Sequence, residues 1–227
     1  MEHRDDLVKT RTQTINRLHV VLTHLVPGGA GHALTAAHAA EFIRGVRPRD
    51  AATKTLRALA VDLISEVRQL DRRISKAARD IDVAVNASDT TLTELHGTGA
   101  LTAGKILSRV GDINRFRSAA AFASYTGTAP IEVSSGDVVR HRLSRAGDRQ
   151  LNVCLHVIAI AQVRHHTLAR DYYLRKRSEG KNHKEAMRCL KRRLSNVVYQ
   201  QMRRDAERSK ADPGGHSGAA LSSRAAG

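Results

Sequence analysis

The stretch "DAATKTLRALAVDLISEVRQLDRRISKAARDIDVAVN", residues 50–86, carries the most regular pattern in the chain. Leu56, Ala60, Leu63, Val67, Leu70, Ile74, Ala77 and Ile81 recur at alternating steps of four and three. This is a heptad seam sustained for more than three repeats, with Glu66, Arg68, Asp71, Arg72 and Arg73 outside it. A helix of that length runs about 55 Å at 1.5 Å per residue. So long a seam needs a partner, either the first helix folded back or a second chain. The pattern suits both, an antiparallel hairpin that also dimerises; a long helix packed on its own domain is the alternative.

Toward the N-terminus, "RDDLVKTRTQTINRLHVVLTHLVPGG" reads as a helix through about Leu25. Its apolar face is Leu7, Thr14, Leu18, Val21 and Leu25, and Pro27-Gly28-Gly29 ends it. A short helix from Leu34 to Ile43 follows, and Pro48 breaks the chain again.

Toward the C-terminus, Ser88 or Asp89 is an N-cap opening a second domain. In "TLTELHGTGALTAGKILSRVGD" two short helices flank His96-Gly97-Thr98-Gly99, in the manner of a helix-hairpin-helix element. Gly97 and Gly99 would let backbone N–H groups approach a DNA phosphate at a helix N-terminus, or simply make a structural corner. A helix, "RSAAAFASYTG", closes at Gly127. "IEVSSGDVVRHRLS" alternates apolar and polar residues about Ser-Ser-Gly-Asp, so it reads as a β-hairpin turning at Gly136-Asp137.

Three helices come next, over about Arg149–His165, Leu168–Ser178 and Lys184–Glu207, the last with a buried stripe of Met187, Leu190, Leu194 and Val197. The Gly/Ala/Ser-rich tail from Ala211 reads as disordered. The expected fold is mainly α: long coiled-coil helices over 1–87, then a helix-hairpin-helix-containing domain with a small β-hairpin over 88–210, and a tail over 211–227.

Charge narrows the partners. The 227 residues hold 38 Lys+Arg against 22 Asp+Glu, a formal net charge of +16. Residues 134–210 alone hold 19 Lys+Arg and 7 Asp+Glu, so +12 of that excess lies in the second domain. A basic surface of this kind suits a polyanion. Aromatic residues make up only 3%, too few for a base-stacking surface, so double-stranded DNA is the better partner. Cys154 and Cys189 are the only cysteines and have neither metal nor disulfide spacing, which suits the cytoplasm. No long apolar run or signal peptide is present, so no membrane partner is expected. His165 and His166 are adjacent, which reads as surface or DNA-facing rather than as a metal site.

A serine attacks a phosphodiester when its hydroxyl is in line and cations meet the charge developing on phosphorus. Ser134 and Ser135 are followed within fifteen residues by Arg140, Arg142, Arg145 and Arg149, and the guanidinium fork holds two phosphate oxygens. No histidine or carboxylate is evidently arranged as a base. The residues alone leave two readings open, a hairpin turn with a DNA-binding basic strand and a catalytic serine.

The run "GTGALTAGKILSRVGDINRFRSAAAFASYTGTAPIEVSSGDVVRHRLSRAGDRQLN" closely resembles the carboxy-terminal domain of the insertion sequence one-hundred-ten family of bacterial transposases, relatives of the Piv DNA invertases and also known as bridge-RNA-guided recombinases. "RDDLVKTRTQTINRLHVVL" and "YYLRKRSEGKNHKEAMRCLKRRLSNVVY" extend the resemblance over most of residues 3–200. It implies a serine nucleophile at Ser134, with Ser135 as the alternative, and phosphate support from Arg140, Arg142, Arg145 and Arg149. It also implies strand exchange through a phosphoserine intermediate, guided by a structured RNA within an oligomer.

In that family a RuvC-like domain with an acidic metal site comes first. Asp5, Asp6, Asp50 and Glu66 do not rebuild such a site. The expectation is a chain without that domain: no metal or other cofactor of its own, Mg²⁺ belonging to the complete enzyme, and little independent recombination. The rival expectation is a non-catalytic DNA-binding and dimerisation module that pairs with full-length transposase. A general RNA-binding protein is a third.

Overall fold

The computed structural model describes residues 1–227 except 27, 30, 32–33, 136–137, 144–146 and 212–227, and the backbone alone over 131–135 and 138–143. The expected tail and the hairpin's turn residues Gly136 and Asp137 lie outside the described residues. The chain forms two compact units, Met1–Ala84 and Val85–Gly227.

Three helices build the first unit: α1 (Glu2–Leu25), α2 (Ala36–Gly45) and α3 (Ala51–Asn86). Thr35 caps α2 by accepting the His38 N–H at 3.2 Å. Asp50 caps α3, taking the Thr53 N–H and hydroxyl at 2.8 Å each. The bonds from Thr53 hold its exposed carboxyl below the ordinary value.

The α3 seam packs against the chain's own first two helices. Ala60, Leu63, Ile64 and Val67 share one core with Leu18, Val21 and Leu22 of α1 and Ala39 and Ile43 of α2. Arg11 donates to Asp71, and Thr14 to Glu66 at 3.2 Å. Rising numbers on α1 thus meet falling numbers on α3, so the two helices run antiparallel. The seam is deepest in its middle: Ala60, Leu63, Val67 and Leu70 are buried, whereas Leu56, Ile74, Ala77 and Ile81 are only partly covered. Leu22 and Ile64, outside the heptad reading, are buried as well. A helix packed between two neighbours buries a wider stripe than a two-stranded seam.

The second unit is built around α8 (His183–Ala211), which packs against α5 (Ala119–Tyr125), α6 (Arg149–Arg164) and α7 (Leu168–Ser178); α4 (Ala100–Val110) packs on α6. Its core includes Phe122, Leu151, Leu155, Ile158, Leu190, Leu194 and Val198. An antiparallel ribbon of β1 (Pro130–Ser135) and β2 (Val138–Leu143) lies between α5 and α6 in the chain.

Three local expectations are corrected. The segment before His96 is a single 3-10 turn, Leu92–Glu94, rather than a short α-helix, because Thr90 and Thr91 are tied to Asp205 of α8 instead of winding into a helix. Neither Ser88 nor Asp89 caps a helix: Ser88 Oγ donates back to the Val85 carbonyl, and Asp89 takes φ +50 as the chain leaves α3. On α8, Val197 is 38% exposed and Val198 is buried instead. The stripe Met187, Leu190, Leu194, Val198, Met202 follows the helical period more closely than the spacing ending at 197.

Leu22 is fully buried in the first unit. Leu22→Ala is expected to cost about 2–5 kcal/mol, read as a lower urea midpoint with the denaturant slope unchanged.

Candidate nucleic-acid interface

The ribbon is rooted in the C-terminal end of α5. Ser118 caps that helix by accepting the Ala121 N–H at 3.1 Å. Gly127 then takes φ +65, and the Thr128 and Ala129 N–H groups both return to the Ala123 carbonyl, at 2.8 and 3.1 Å. Pro130 begins β1 directly.

The chain returns to the same spot after β2. The Asp148 N–H donates to the Tyr125 carbonyl at 2.7 Å. Gly147 presses so closely on Gly127 that a Cβ there would lie 2.2 Å from the Gly127 nitrogen. Only glycine fits.

Asp148 fixes the start of α6. Its carboxylate accepts the Gln150 and Leu151 N–H groups at 2.8 and 2.9 Å, capping the helix, and takes an ion pair from Arg109 of α4 at 3.0 Å. Burial alone would raise its pKa; the Leu151 N–H and the Arg109 guanidinium overcome that and hold it below the ordinary value. Arg149 is thereby the exposed first residue of α6, beside the ribbon's root.

The register sorts the candidate residues of the ribbon. Ser135 pairs with Val138, Val133 with Arg140 and Ile131 with Arg142, while Ser134 pairs with Val139 and Glu132 with His141. Directly paired positions share a face and successive ones alternate. Ser135, Arg140 and Arg142 therefore fall on one face of the ribbon, and Ser134, Glu132 and His141 on the other. Of the two candidate serines, Ser135 thus shares its face with both arginines. Arg145 lies outside the described residues.

Gly97 and Gly99 have different reasons to be glycine. Gly97 takes φ +83, and a Cβ there would sit 2.6 Å from the Cβ of Ala161 on α6. Its first role is close packing of the turn onto α6, which Gln162 reinforces by donating to the His96 carbonyl at 2.9 Å. Gly99 is the N-cap of α4, in open space and with no side-chain cap, so it is the one that leaves α4's first N–H groups approachable. The two candidate contacts share a scaffold: Arg149 opens α6, and the turn rests on it at Ile158 and Ala161, about three helical turns or roughly 18 Å along.

Beneath the root lies a polar network that the sequence pattern did not disclose. Lys191 of α8 is only 8% exposed and donates to Asn152 Oδ1 at 2.8 Å. Asn152 Nδ2 in turn donates to the Thr126 and Gly127 carbonyls at 3.0 and 3.1 Å. Burial, then the charge of Arg188, pushes the Lys191 pKa down. The α8 stripe itself carried the signal: position 191 is four residues after Met187 and falls on the buried side.

A second basic surface lies on α7 and α8. The cationic groups of Arg175, Lys176 and Arg193 stand 5.2, 5.6 and 4.9 Å from the ring centre of Tyr172. His165 and His166 are exposed, and the His165 ring stands edge-on to His96 at 4.8 Å. Among the described residues no group of three or more His, Cys, Asp or Glu gathers to hold a metal ion. Among them, too, no helix is long and apolar enough to cross a membrane.

Three substitutions test the local geometry. Gly97→Ala is expected to lower the melting temperature by the equivalent of about 1–3 kcal/mol, through positive φ and the clash with Ala161, while Gly99→Ala changes it by less than about 1 kcal/mol. Asp148→Ala is expected to cost about 1–2 kcal/mol from the lost cap. Because the native Asp148 carboxyl titrates below 3.8, that contribution is complete above pH 3.8 and fades as pH falls through the native value. Thermal melts against pH should show wild type and variant converging in acid.

Residues 89–174 match the profile of the transposase family IS116/IS110/IS902. The chain is 34% identical over 133 residues to the uncharacterized 43.6 kDa protein of insertion element IS110 from Streptomyces coelicolor, covering 58% of this chain and 33% of that protein. It is 28% identical to the uncharacterized 44.8 kDa protein of insertion element IS116 from Streptomyces clavuligerus, over 88% of this chain and 62% of that protein. It is also 29% identical to the uncharacterized 42 kDa protein of insertion element IS900 from Mycobacterium paratuberculosis, over 74% and 48%. The chain thus spans from a third to about three fifths of these relatives' lengths. The matched segment contains the α4 turn, the rooted ribbon, all of α6 and most of α7. Over residues 89–174 the chain is therefore similar to the transposases of the IS116/IS110/IS902 family.

Proposed function

We propose that this chain grips double-stranded DNA through its second unit and supplies the serine that exchanges strands in the complete transposase. The observation that carries this reading is the register of the ribbon, which sets Ser135 on one face with Arg140 and Arg142 inside the family-matched segment. It supports Ser135 over Ser134 as the nucleophile. In the reaction the serine Oγ–P bond forms as the bond from phosphorus to one deoxyribose oxygen breaks. The hydroxyl's proton is balanced by protonation of the departing oxygen. The arginines meet the charge on the phosphoryl oxygens, where a bidentate fork is worth most. Arg149 and the turn at Gly99 hold the duplex by its backbone. A structured guide RNA, a homo-oligomer or association with full-length transposase, and Mg²⁺ held by residues other than those described complete the proposal.

A second reading, a DNA-binding and dimerisation module without catalysis, is favoured by the basic surface around Tyr172, whose cations lie on α7 and α8 rather than on the ribbon.

The test is covalent trapping: the chain with labelled donor and target DNA, guide RNA, Mg²⁺ and full-length family transposase whose own serines are replaced, run on a denaturing gel. The expected adduct is lost in Ser135→Ala and kept in Ser134→Ala. Loss in Ser134→Ala alone reverses the assignment. Absence of any adduct, with duplex binding that falls steeply as salt rises, leaves the second reading.

A further inference from the structure

The hairpin's root stands over a cation that pairs with no carboxylate among the described residues. Lys191 reaches inward from α8, 8% exposed, and among the described residues its bond goes to the amide oxygen of Asn152 and not to a carboxylate. An ammonium has three donors, and among the described residues one of them is used. The charged groups around it are cationic. Arg188, one turn back on α8, adds to the burial that pushes the Lys191 pKa down. His156, one turn beyond Asn152 on α6, has its own pKa lowered by partial desolvation, then by the charges of Lys191 and His183.

Two described carboxylates, Glu185 and Asp148, are engaged elsewhere. Glu185 accepts the Asn182 N–H at 2.9 Å and stands 3.9 Å from Arg188, and Asp148 is taken by its helix cap and Arg109. His183 is bound through Nδ1 to the Tyr173 hydroxyl at 2.8 Å. A desolvated lysine among further cations is costly to a fold unless an anion arrives.

The position of this cation carries the inference further. Asn152 links Lys191 to the Thr126 and Gly127 carbonyls, and Gly127 is the residue on which the returning chain closes at Gly147. His156 is exposed on the same side of α6 as Asn152, one turn along, which gives the cluster an open mouth.

We propose that Lys191 and His156, with Arg188 at the edge, form a phosphate-binding site at the root of the ribbon that seats one backbone phosphate of the bound DNA. The occupant being DNA rests on the function proposed above; the affinity for a phosphate group does not. Lys191 supplies the buried charge, and His156 a ring N–H toward the opening. Asn152 passes the state of the lysine to the backbone from which β1 departs.

Two measurements on the full chain test this. In thermal melts, potassium phosphate compared with potassium chloride at equal ionic strength is expected to raise the wild-type melting temperature, as any ligand of the native state does. Lys191→Met and His156→Gln should abolish that rise. In fluorescence anisotropy with a labelled duplex, Lys191→Met is expected to weaken binding about tenfold and to reduce the slope of log affinity against log salt by about one, the signature of one lost phosphate. Asn152→Ala, which removes the brace but leaves the ammonium, should keep the slope. His156→Gln and Arg188→Gln, both changed at accessible positions, serve if Lys191→Met does not fold.

Loss of the phosphate effect with an unchanged DNA slope would overturn DNA as the occupant and leave a site for free phosphate. No phosphate effect in the wild type, together with unchanged slopes in the variants, would overturn the site and reduce Lys191 to a brace. A wild type stabilised by phosphate but without duplex affinity would sink the proposed function while the phosphate site stands.

Discussion

Much of the second unit hangs on one carboxylate. Asp148 caps α6, pairs with Arg109 of α4 and, through its own N–H, holds the end of α5. Three helices and the exit of β2 therefore share a single residue. This works because its groups are used in different directions: carboxylate oxygens toward the α6 N–H groups and the guanidinium, backbone toward Tyr125. The neighbouring Gly147 makes the arrangement possible, since a side chain there would strike the Gly127 backbone. Arg149 owes its exposed place at the ribbon's foot to this cap.

The two buried or half-buried charges near the root show opposite electrostatics. Asp148 is desolvated, yet hydrogen bonds and a cation overcompensate, so its charged form is favoured. Lys191 is desolvated with an amide as its partner and cations around it, so its charged form is disfavoured. Carboxylates stabilise this part of the fold wherever helix caps and arginines meet them. A surplus of positive charge is left over. That surplus is most telling where it is least hydrated, under the ribbon, and most abundant on the outer surfaces of α7 and α8.

Much of this architecture was legible in the sequence because periodicity records burial. Leu7, Leu18 and Val21 of α1, the centre of the α3 seam, and Met187, Leu190 and Leu194 of α8 all appear on the expected faces. The errors occur where a period is only approximate or where a distant residue decides. Val198 replaces Val197 because steps of four stay on one face longer than a step of three. Thr90 and Thr91 read as part of a helix until Asp205, more than a hundred residues away, claims them. Gly97 reads either as a phosphate contact or as a structural corner, and Ala161 adds a steric reason for glycine there. Lys191 falls on the buried side of the α8 stripe, yet a lysine in a basic helix reads as solvated surface. Of the site, residue types and order were legible; the division of Ser134 and Ser135 between two faces required the pairing.

The way the ribbon joins the helices has an evolutionary consequence. Its entry and exit meet within one hydrogen bond, from the Asp148 N–H to the Tyr125 carbonyl at 2.7 Å. A loop whose ends are already held together can change length at little entropic expense, since closure entropy grows only logarithmically with the number of residues enclosed. The helical body is therefore a socket. Insertions, deletions and altered tips can be sampled between Gly127 and Gly147 without refolding the core, so the ribbon can diverge among relatives while the platform beneath it stays the same.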